Sequence, residues 1–232
     1  MDRDDAESIA CSTGWLSLQP GEFQRRLLTV ADCCHVPPGT HIYEIGDPPD
    51  SVFALVDSEL SILRPSDDFT LQLVHVARPV WWVGEAAVIT NTPRRATLVA
   101  RQLSVVLRVS RAAIEQMAAE QPDVWRRIAQ ITVSHLDTAL SLITGLSTGD
   151  ARSRVALALH RLASLDHETG TNSAVVSVSQ HELGAMTRLS RNAVGPIILE
   201  LETAGLVVHR YRRIEILDIA ALARFATDAN SV

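Results

Sequence analysis

The sequence predicts an α+β chain in which a β-rich N-terminal part is followed by a long helix and then by two short helices and a β-hairpin. Three observations support this fold class. Short β-rich segments separated by turns occupy residues 33–109, apolar residues recur at heptad spacing over residues 123–146, and two capped helices joined by a tight turn fit residues 179–206. The chain has 232 residues, of which 47% are hydrophobic and 21% charged, so it can bury a core.

The N-terminal part is expected to be a β domain preceded by a flexible arm. Residues 1–20 are polar and aperiodic, which predicts the arm, and Gly21 to Ala31 is predicted to form a short amphipathic helix. The turn-separated spacing of the β-rich segments indicates an antiparallel sandwich or barrel, and we assign residues 21–121 to this domain. The predicted strands are His41–Tyr43, Val52–Val56, Leu60–Leu63, Leu71–Val76, Val80–Val83, Ala96–Ala100 and Val105–Val109.

A long helix is predicted next, within residues 122–147, after a short helix that begins behind Ser110. It carries two apolar stripes. The first follows the alternating four-and-three spacing of a heptad seam and consists of Trp125, Ala129, Thr132, Leu136, Ala139, Ile143 and Leu146. The second consists of Val124, Ile128, Ile131, His135, Thr138 and Leu142. We expect one stripe to pack on its own domain and the other on a second copy of the chain; burial of both within a monomer is the alternative.

Residues 148–232 predict a helix-turn-helix with a wing. Ser179 caps the first short helix, with Glu182 at the capping-box position, and Ser190 caps the second, which Gly205 ends. The apolar face of the second helix consists of Val194, Ile197, Ile198 and Leu201. The segment from Val207 to Leu217 alternates apolar and basic residues, which predicts a hairpin with a basic tip. Such a unit matches the geometry with which proteins enter the DNA major groove.

Charge and composition restrict the class of protein. The net charge is −6, which argues against coating nucleic acid by bulk charge but permits a local basic patch. Residues 1–150 hold 12 Arg and 19 acidic residues, whereas residues 151–232 hold 9 Arg and 8 acidic residues. No apolar run approaches the ~20 residues that cross a bilayer, and the N-terminus is acidic where a signal peptide is basic. We therefore expect a cytoplasmic protein without a membrane segment.

Three motifs, in this order, resemble the CRP/FNR superfamily of bacterial transcription regulators. They are Pro38-Gly39-Thr40-His41-Ile42-Tyr43 with Gly46-Asp47-Pro48, then Val83-Gly84-Glu85-Ala86-Ala87 with Pro93-Arg94-Arg95-Ala96-Thr97, and finally Ser190-Arg191-Asn192-Ala193-Val194-Gly195. The resemblance extends from about residue 21 to residue 225. It implies an N-terminal antiparallel β-roll of the cyclic-nucleotide-binding type, a long dimerisation helix and a C-terminal winged helix-turn-helix.

The middle motif resembles the phosphate-binding cassette of that family. A glycine such as Gly84 lets backbone N–H groups approach an anion, Arg94 offers a guanidinium, and Glu85 can accept a hydrogen bond from a ribose hydroxyl. The resemblance implies that the amides of Gly84 and Ala86 and the side chain of Arg94 hold a cyclic phosphate, which makes cyclic AMP and cyclic GMP the candidate effectors. The alternative is a β-roll without effector, in which Glu85 and Arg94 pair with each other.

The cassette departs from the family pattern at two places. Arg95 stands where the family has Ser or Thr, so it adds a second guanidinium or crowds a nucleotide out. Cyclic-AMP-responsive members read adenine with a Thr-Ser pair on the long helix, and Ala139-Leu140 occupy that place here. Thr138, one place earlier, is the candidate for contacting the effector base.

The predicted DNA-reading helix departs from the family as well. Asn192 and Pro196 replace the usual Glu and Arg, and Pro196 is expected to bend the helix. Arg188 replaces a common turn glycine. Asn192 suits adenine, and Arg191 suits guanine or a phosphate. The residues expected at a palindromic duplex operator are Ser179, Gln180, Arg188, Ser190, Arg191, Asn192 and Arg212, and RNA polymerase is a further candidate partner.

Catalytic and metal chemistry find no support in the sequence. His181-Glu182 lacks the second His of a zincin motif because position 185 is Ala, and no nucleophile–base set is visible. Cys11, Cys33 and Cys34 are interpreted as structural. We therefore expect a homodimeric, DNA-binding transcription regulator controlled by a small effector, and not an enzyme. The alternatives keep the architecture but bind DNA constitutively, or sense redox state or a gas through Cys33/Cys34 or haem.

Overall fold

The computed structural model describes residues 1–66, 70–147, 150–164, 172–211 and 213–228. Its residues form two compact units, 1–137 and 138–232. The first unit combines N-terminal helices with two antiparallel sheets. Its elements are α1 (Arg3–Ser12), α2 (Gly14–Ser17), α3 (Gly21–Thr29), β1 (Ala31–Val36), β2 (His41–Tyr43), β3 (Ser51–Asp57), β4 (Leu60–Pro65), β5 (Leu71–Ala77), β6 (Trp81–Val83), α4 (Glu85–Thr90), β7 (Thr97–Ala100), β8 (Ser104–Ser110) and α5 (Arg111–Glu120).

The N-terminal residues are helical, so the prediction of a flexible arm at residues 1–20 is wrong. Asp2 caps α1 by accepting a hydrogen bond from the backbone N–H of Asp5, and Ala6, Ala10 and Leu16 are completely buried. Two alanines four residues apart lie on one helical face, and their small size lets α1 pack closely on β3 and β8. The acidic residues around these alanines conceal the apolar period in the sequence.

The predicted antiparallel β architecture is confirmed as two four-stranded sheets with strand orders β1-β8-β3-β6 and β2-β7-β4-β5. The strand β3 is apolar from Val52 to Val56 because both of its faces are buried there. Val52, Ala54 and Val56 pack in a core with the N-terminal helices, while Phe53 and Leu55 pack in a second core against the other sheet. The sequence analysis missed β1 and the short helix α4.

The long helix α6 (Asp123–Ser147) begins in the first unit and continues into the second. Val124, Ile128 and Ile131 of its second apolar stripe are buried in the core with α5. Beyond Ile131 both stripes become more accessible, and Leu136 and Ile143 of the first stripe are exposed. None of the helices in the described ranges is long and apolar enough to cross a membrane.

The second unit contains the predicted helix-turn-helix and hairpin. Its elements are α7 (Ala151–Ser164), β9 (Ala174–Val176), α8 (Gln180–Thr187), α9 (Arg191–Thr203), β10 (Val207–Arg210), β11 (Arg213–Ile216) and α10 (Ile219–Asp228). The strands form a sheet of order β10-β11-β9, and Arg210 pairs with Arg213 at the hairpin end. Arg212, at the predicted wing tip, lies outside the described residues.

Candidate functional site

The predicted cassette begins at Gly84, where the chain turns from β6 into α4. Gly84 has φ of 98°, a left-handed conformation that favours glycine. A Cβ at this position would lie 2.7 Å from Nη1 of Arg94 and 3.1 Å from the carbonyl oxygen of Ser51. The missing side chain of Gly84 therefore makes room for the Arg94 guanidinium.

Arg94 is buried in the protein, with only 2% of the residue exposed. Its Nη1 donates to the carbonyl oxygen of Gly84 at 2.9 Å, and its Nη2 donates to the carbonyl oxygen of Ser51 at 2.6 Å and to Oδ1 of Asp50 at 2.9 Å. The guanidinium also lies 4.4 Å from the ring centroid of Tyr43, in cation–π geometry. These contacts tie the start of α4 to the start of β3.

Glu85, the first residue of α4, is also buried, with 3% exposure. Its Oε1 accepts a hydrogen bond from Oγ1 of Thr132 at 3.1 Å and lies 3.1 Å from Nδ1 of His135. Both partners come from α6. The carboxylate that the resemblance assigns to a ribose hydroxyl is therefore occupied by two side chains of the same unit.

Two aromatic contacts extend this cluster. Trp81 stacks on His135, with ring centroids 4.8 Å apart and an interplanar angle of 14°, and its other neighbour is His75, at 4.9 Å. Burial, together with the electrostatic influence of the neighbouring His135 and Arg78, lowers the pKa of His75 to about 4. Among the described residues, neither Nε2 of His75 nor Nε1 of Trp81 has a hydrogen-bond partner. His75, Trp81, His135 and Glu85 form one cluster, which we call the Glu85 cluster.

The structure thus groups most of the predicted cassette residues. Two of them, Glu85 and Arg94, have hydrogen-bond partners within the protein that the sequence analysis did not predict. Ala86 lies in the first turn of α4, and Arg95 is exposed beside the buried Arg94. The pairing of Glu85 with Arg94 that the alternative predicted is not what the structure has, since Arg94 bonds to Asp50 and Glu85 to Thr132; whether the β-roll binds an effector stays a prediction. Thr138 follows His135 by three residues on α6 and belongs to the second unit. Its predicted contact with the effector base stays a prediction.

Thr132 and His135 are the residues that the sequence analysis missed. Both were assigned only to the apolar stripes of α6. Their polarity within otherwise apolar stripes was the available signal, since a polar group that enters a packed interface needs a partner. The identity of that partner, Glu85, depends on the tertiary fold, because Glu85 lies 47 residues before Thr132 in the chain.

The helix-turn-helix has the predicted caps. The Ser179 hydroxyl accepts from the backbone N–H of Glu182, and the Glu182 carboxylate accepts from the backbone N–H of Ser179, which completes a capping box. The turn contains Arg188 in the left-handed region, with φ of 54°. A Cβ at Gly184 would lie 2.6 Å from the carbonyl oxygen of Leu189, so this glycine allows the tight approach of the turn.

The second helix, α9, separates an apolar face from an accessible one. Val194, Ile197, Ile198 and Leu201 are buried as predicted, and the Ser190 hydroxyl caps the helix by accepting from the backbone N–H of Ala193. Arg191 and Asn192, in the first turn, are exposed. The helix runs from Arg191 to Thr203 without interruption at Pro196.

Gln180 of α8 lies next to this accessible face, since a Cβ at Gly195 would lie 3.6 Å from its Oε1. Ser179 is half-buried in its capping box, whereas Arg188 and Ser190 are exposed. The structure therefore brings Gln180, Arg188, Ser190, Arg191 and Asn192 to the region around the start of α9. Their contacts with DNA stay a prediction.

The cysteines and acidic residues suggest no second kind of site. Cys11, Cys33 and Cys34 are free and half-buried, and burial raises the pKa of Cys11 and Cys33, which disfavours the reactive thiolate. Within the described ranges, no group of three or more His, Cys, Asp or Glu side chains could hold a metal ion.

Two protein-family models match the chain, one in each half. Residues 33–121 match the cyclic nucleotide-binding domain, and residues 153–225 match the Crp-like helix-turn-helix domain. The order of the two matches agrees with the order of the cassette and the helix-turn-helix in the structure. The chain belongs to the CRP/FNR superfamily of transcription regulators. As a CRP-family protein it carries a cyclic-nucleotide-binding type domain and a DNA-binding helix-turn-helix.

Known relatives of this CRP-family chain include regulators of similar length. The transcriptional regulator LdrP of Thermus thermophilus is 26% identical over 189 residues, which are 81% of this chain and 93% of LdrP. The CRP-like cAMP-activated global transcriptional regulator of Mycobacterium tuberculosis is 21% identical over 192 residues, 82% of this chain and 86% of the relative. The Pycsar effector protein XpPycTIR of Xanthomonas perforans is 30% identical over 124 residues, but these are 53% of this chain and only 39% of that protein.

Solved structures support the same fold. A CRP-family transcriptional regulator of Thermus thermophilus superposes with a TM-score of 0.67 at 25% identity, covering 85% of this chain and 98% of its own. A crystallised protein of Ruegeria pomeroyi superposes with a TM-score of 0.71 at 19% identity, covering 97% of this chain and 99% of its own. The second likeness bears on the fold alone.

Proposed function

We propose that this chain is a homodimeric, sequence-specific DNA-binding regulator whose affinity for DNA is controlled by a small effector in the β-roll. The observation that carries the proposal is the division of α9 between a buried apolar face and an exposed polar first turn at Arg191 and Asn192. Side chains at the start of such a helix reach base edges in the major groove. Family membership supplies the DNA-binding function, and the homodimer, the sequence specificity and the effector control are the proposed parts.

The homodimer is supported by an accessible apolar stripe of α6, in which Leu136 and Ile143 belong to the first predicted stripe and Val133 and Leu140 to neither predicted stripe. Val133, Leu136, Leu140 and Ile143 are each more than half exposed in the single chain. Large apolar side chains grouped on one helix mark an interaction surface, and heptad spacing fits the same helix of a second copy. Two copies would then present two α9 helices about 34 Å apart, which is one turn of B-DNA.

The dimer is tested by placing a charge in this stripe. The double variant Leu136→Glu and Ile143→Glu should be monomeric in analytical ultracentrifugation at micromolar concentration, because two carboxylates cannot be buried in an apolar seam. The control is Leu103→Glu, since Leu103 is similarly exposed but lies in the loop between β7 and β8. A double variant that stays dimeric would contradict the proposal that these α6 residues form the dimer interface.

A cyclic nucleotide is the first effector candidate, because Gly84, Glu85 and Arg94 have the residue types that hold a phosphate and a ribose hydroxyl. The hydrogen bonds that Glu85 and Arg94 make within the protein favour a second candidate, a regulator of the same architecture that binds no nucleotide. Thr132 and His135 both bond to Oε1 of Glu85, so a cyclic nucleotide that uses this oxygen has to displace them.

Calorimetric titration with cyclic AMP and cyclic GMP, followed by fluorescence anisotropy of labelled DNA with and without the better ligand, decides between these candidates. The first candidate predicts saturable binding of one nucleotide and a change in DNA affinity. The second predicts no heat of binding and DNA affinity that is the same in both conditions.

A further inference from the structure

The accessible face of the recognition helix α9 changes character along its length. Its first turn presents the polar residues Arg191 and Asn192, but the next two exposed positions are Pro196 and Leu199. Leu199 is 64% exposed, and the buried face of the helix consists of other residues. Pro196 and Leu199 therefore contribute little to the core of the second unit, and they extend the accessible face of α9 that begins with Arg191 and Asn192.

The helical spacing places these residues beside the polar ones. Asn192, Pro196 and Leu199 stand at positions i, i+4 and i+7, which lie on one face of a helix. At 1.5 Å per residue, Asn192 and Leu199 are separated by about 10 Å along the axis, which corresponds to about three base pairs of stacked DNA. A helix that inserts Asn192 toward one base pair thus brings Pro196 and Leu199 toward its neighbours in the same groove.

The major groove offers one apolar group to such side chains, the C5-methyl group of thymine. Proline and leucine cannot hydrogen-bond to guanine, cytosine or adenine edges, and covering those polar edges leaves them unsatisfied. Contact with thymine instead buries apolar surface on both partners. The two residues therefore favour thymine and disfavour a G·C pair at the positions they cover.

We infer that Pro196 and Leu199 read thymine methyl groups, so that each operator half-site carries thymines about two and three base pairs from the base pair contacted by Asn192. This inference rests on the proposed function, since it requires sequence-specific binding through α9. The inference assigns sequence discrimination to two residues whose side chains have no hydrogen-bonding group.

The first experiment identifies the half-site. The full-length protein is used to select duplexes from a library with a random core, without ligand and with cyclic AMP or cyclic GMP. We expect an enriched two-fold symmetric site with thymine at two neighbouring positions of each half-site. A symmetric site with G·C pairs at those positions overturns the inference. Failure to enrich any sequence in all three conditions overturns the proposed sequence-specific function, on which the inference depends.

The second experiment removes only the methyl groups. Replacing one thymine by uracil in each half-site removes the methyl group and keeps base pairing. Loss of one buried carbon should weaken binding about fourfold for each half-site, and therefore about 16-fold for the duplex. The Leu199→Ala variant should lose this dependence at one thymine position. Leu18→Ala, which removes a leucine that is 82% exposed in the first unit, should keep it.

The double-mutant comparison distinguishes a direct contact from a general loss of affinity. Equal binding of thymine and uracil duplexes by the unmodified protein overturns the inference. An undiminished uracil effect in both Leu199→Ala and a Pro196→Ser variant also overturns it, because the methyl groups are then read by other residues. Since both residues are exposed, circular dichroism should show native helix content in each variant.

Discussion

The cassette and the helix-turn-helix both place an arginine close to a helix N-terminus, but one arginine is buried and the other is exposed. Arg94 is buried and donates to groups in its own unit, whereas Arg191, at the start of α9, is exposed. The acceptors Asp50 and Ser51 lie 44 and 43 residues before Arg94 in the chain. The comparison teaches that the tertiary surroundings, and not the residue type or the motif, decide whether an arginine is buried against groups of its own unit or remains accessible to a binding partner.

Removing Arg94 should give the largest effect on stability. Arg94→Ala removes a buried guanidinium together with its hydrogen bonds to the carbonyl oxygens of Gly84 and Ser51, and we expect the free energy of unfolding to fall by about 3 kcal/mol. Urea unfolding followed by tryptophan fluorescence reports on the first unit, which contains all four tryptophans. Arg95→Ala is the control and should change the value by less than about 0.5 kcal/mol. If Arg94→Ala and the original protein had the same free energy of unfolding, Arg94 would not be stabilising the contact between α4 and β3.

The second prediction concerns the pH dependence that the Glu85 cluster imposes on the first unit. Because the pKa of His75 is about 4 in the folded protein and about 6.5 when unfolded, the unfolded chain binds more protons between these values. The contribution of His75 to the free energy of unfolding should therefore be constant above pH 6.5. The free energy of unfolding should decrease by about 2–3 kcal/mol as the pH falls toward 4.

His75→Leu tests this pH dependence, since leucine fills similar space and does not titrate. The difference in unfolding free energy between the original protein and the variant should change in favour of the variant as the pH falls from 6.5 to 4. His181→Gln removes an exposed histidine in the second unit and serves as the control. A difference that is independent of pH would show that His75 does not titrate in this range.

Arg191→Ala should have the reverse profile of Arg94→Ala. Loss of a base contact should weaken specific DNA binding by about 1–3 kcal/mol, or about 5- to 160-fold, without measurable loss of stability. Fluorescence anisotropy on the selected duplex measures the affinity. Arg25→Ala removes an exposed arginine of the first unit and should leave binding unchanged. If Arg191→Ala binds with the original affinity and footprint, Arg191 is not part of the DNA interface.

The smallest expected effect is at Arg188, which ends α8 in a left-handed conformation. Replacement by glycine relieves strain of about 1 kcal/mol, so the variant should be more stable. Arg188→Ala removes the same charge but keeps the strain, and it is the matched control. Thermal unfolding followed by far-ultraviolet circular dichroism should rank the glycine variant above the alanine variant. The opposite ranking would mean that the turn does not hold residue 188 under strain.

Local patterns predicted the elements whose cause is local. The caps at Ser179 and Ser190 and the apolar face of α9 depend on residues within one or two helical turns, and the structure has them where the sequence places them. The antiparallel β architecture was predictable for the same reason, because turn residues separate short apolar segments. The resemblance to the family added the order of the domains.

Contacts between distant segments were not predictable in this way. The helix α1 packs through two alanines whose apolar contribution is too small to stand out among acidic neighbours. The partners of Glu85 come from a helix 47 to 50 residues further along the chain. Gly84 was identified as a special backbone position, but its reason, the approach of the Arg94 guanidinium, required the fold.

The hydrogen bonds from Thr132 and His135 have a consequence for any ligand that uses the Glu85 carboxylate. Such a ligand meets an intramolecular competitor that is already in place, and its apparent dissociation constant rises in inverse proportion to the fraction of molecules in which Glu85 is released. If an effector uses this oxygen, the strength of these two bonds would set the concentration at which it binds. A change at position 132 or 135 would then alter that concentration without changing any group that contacts the ligand.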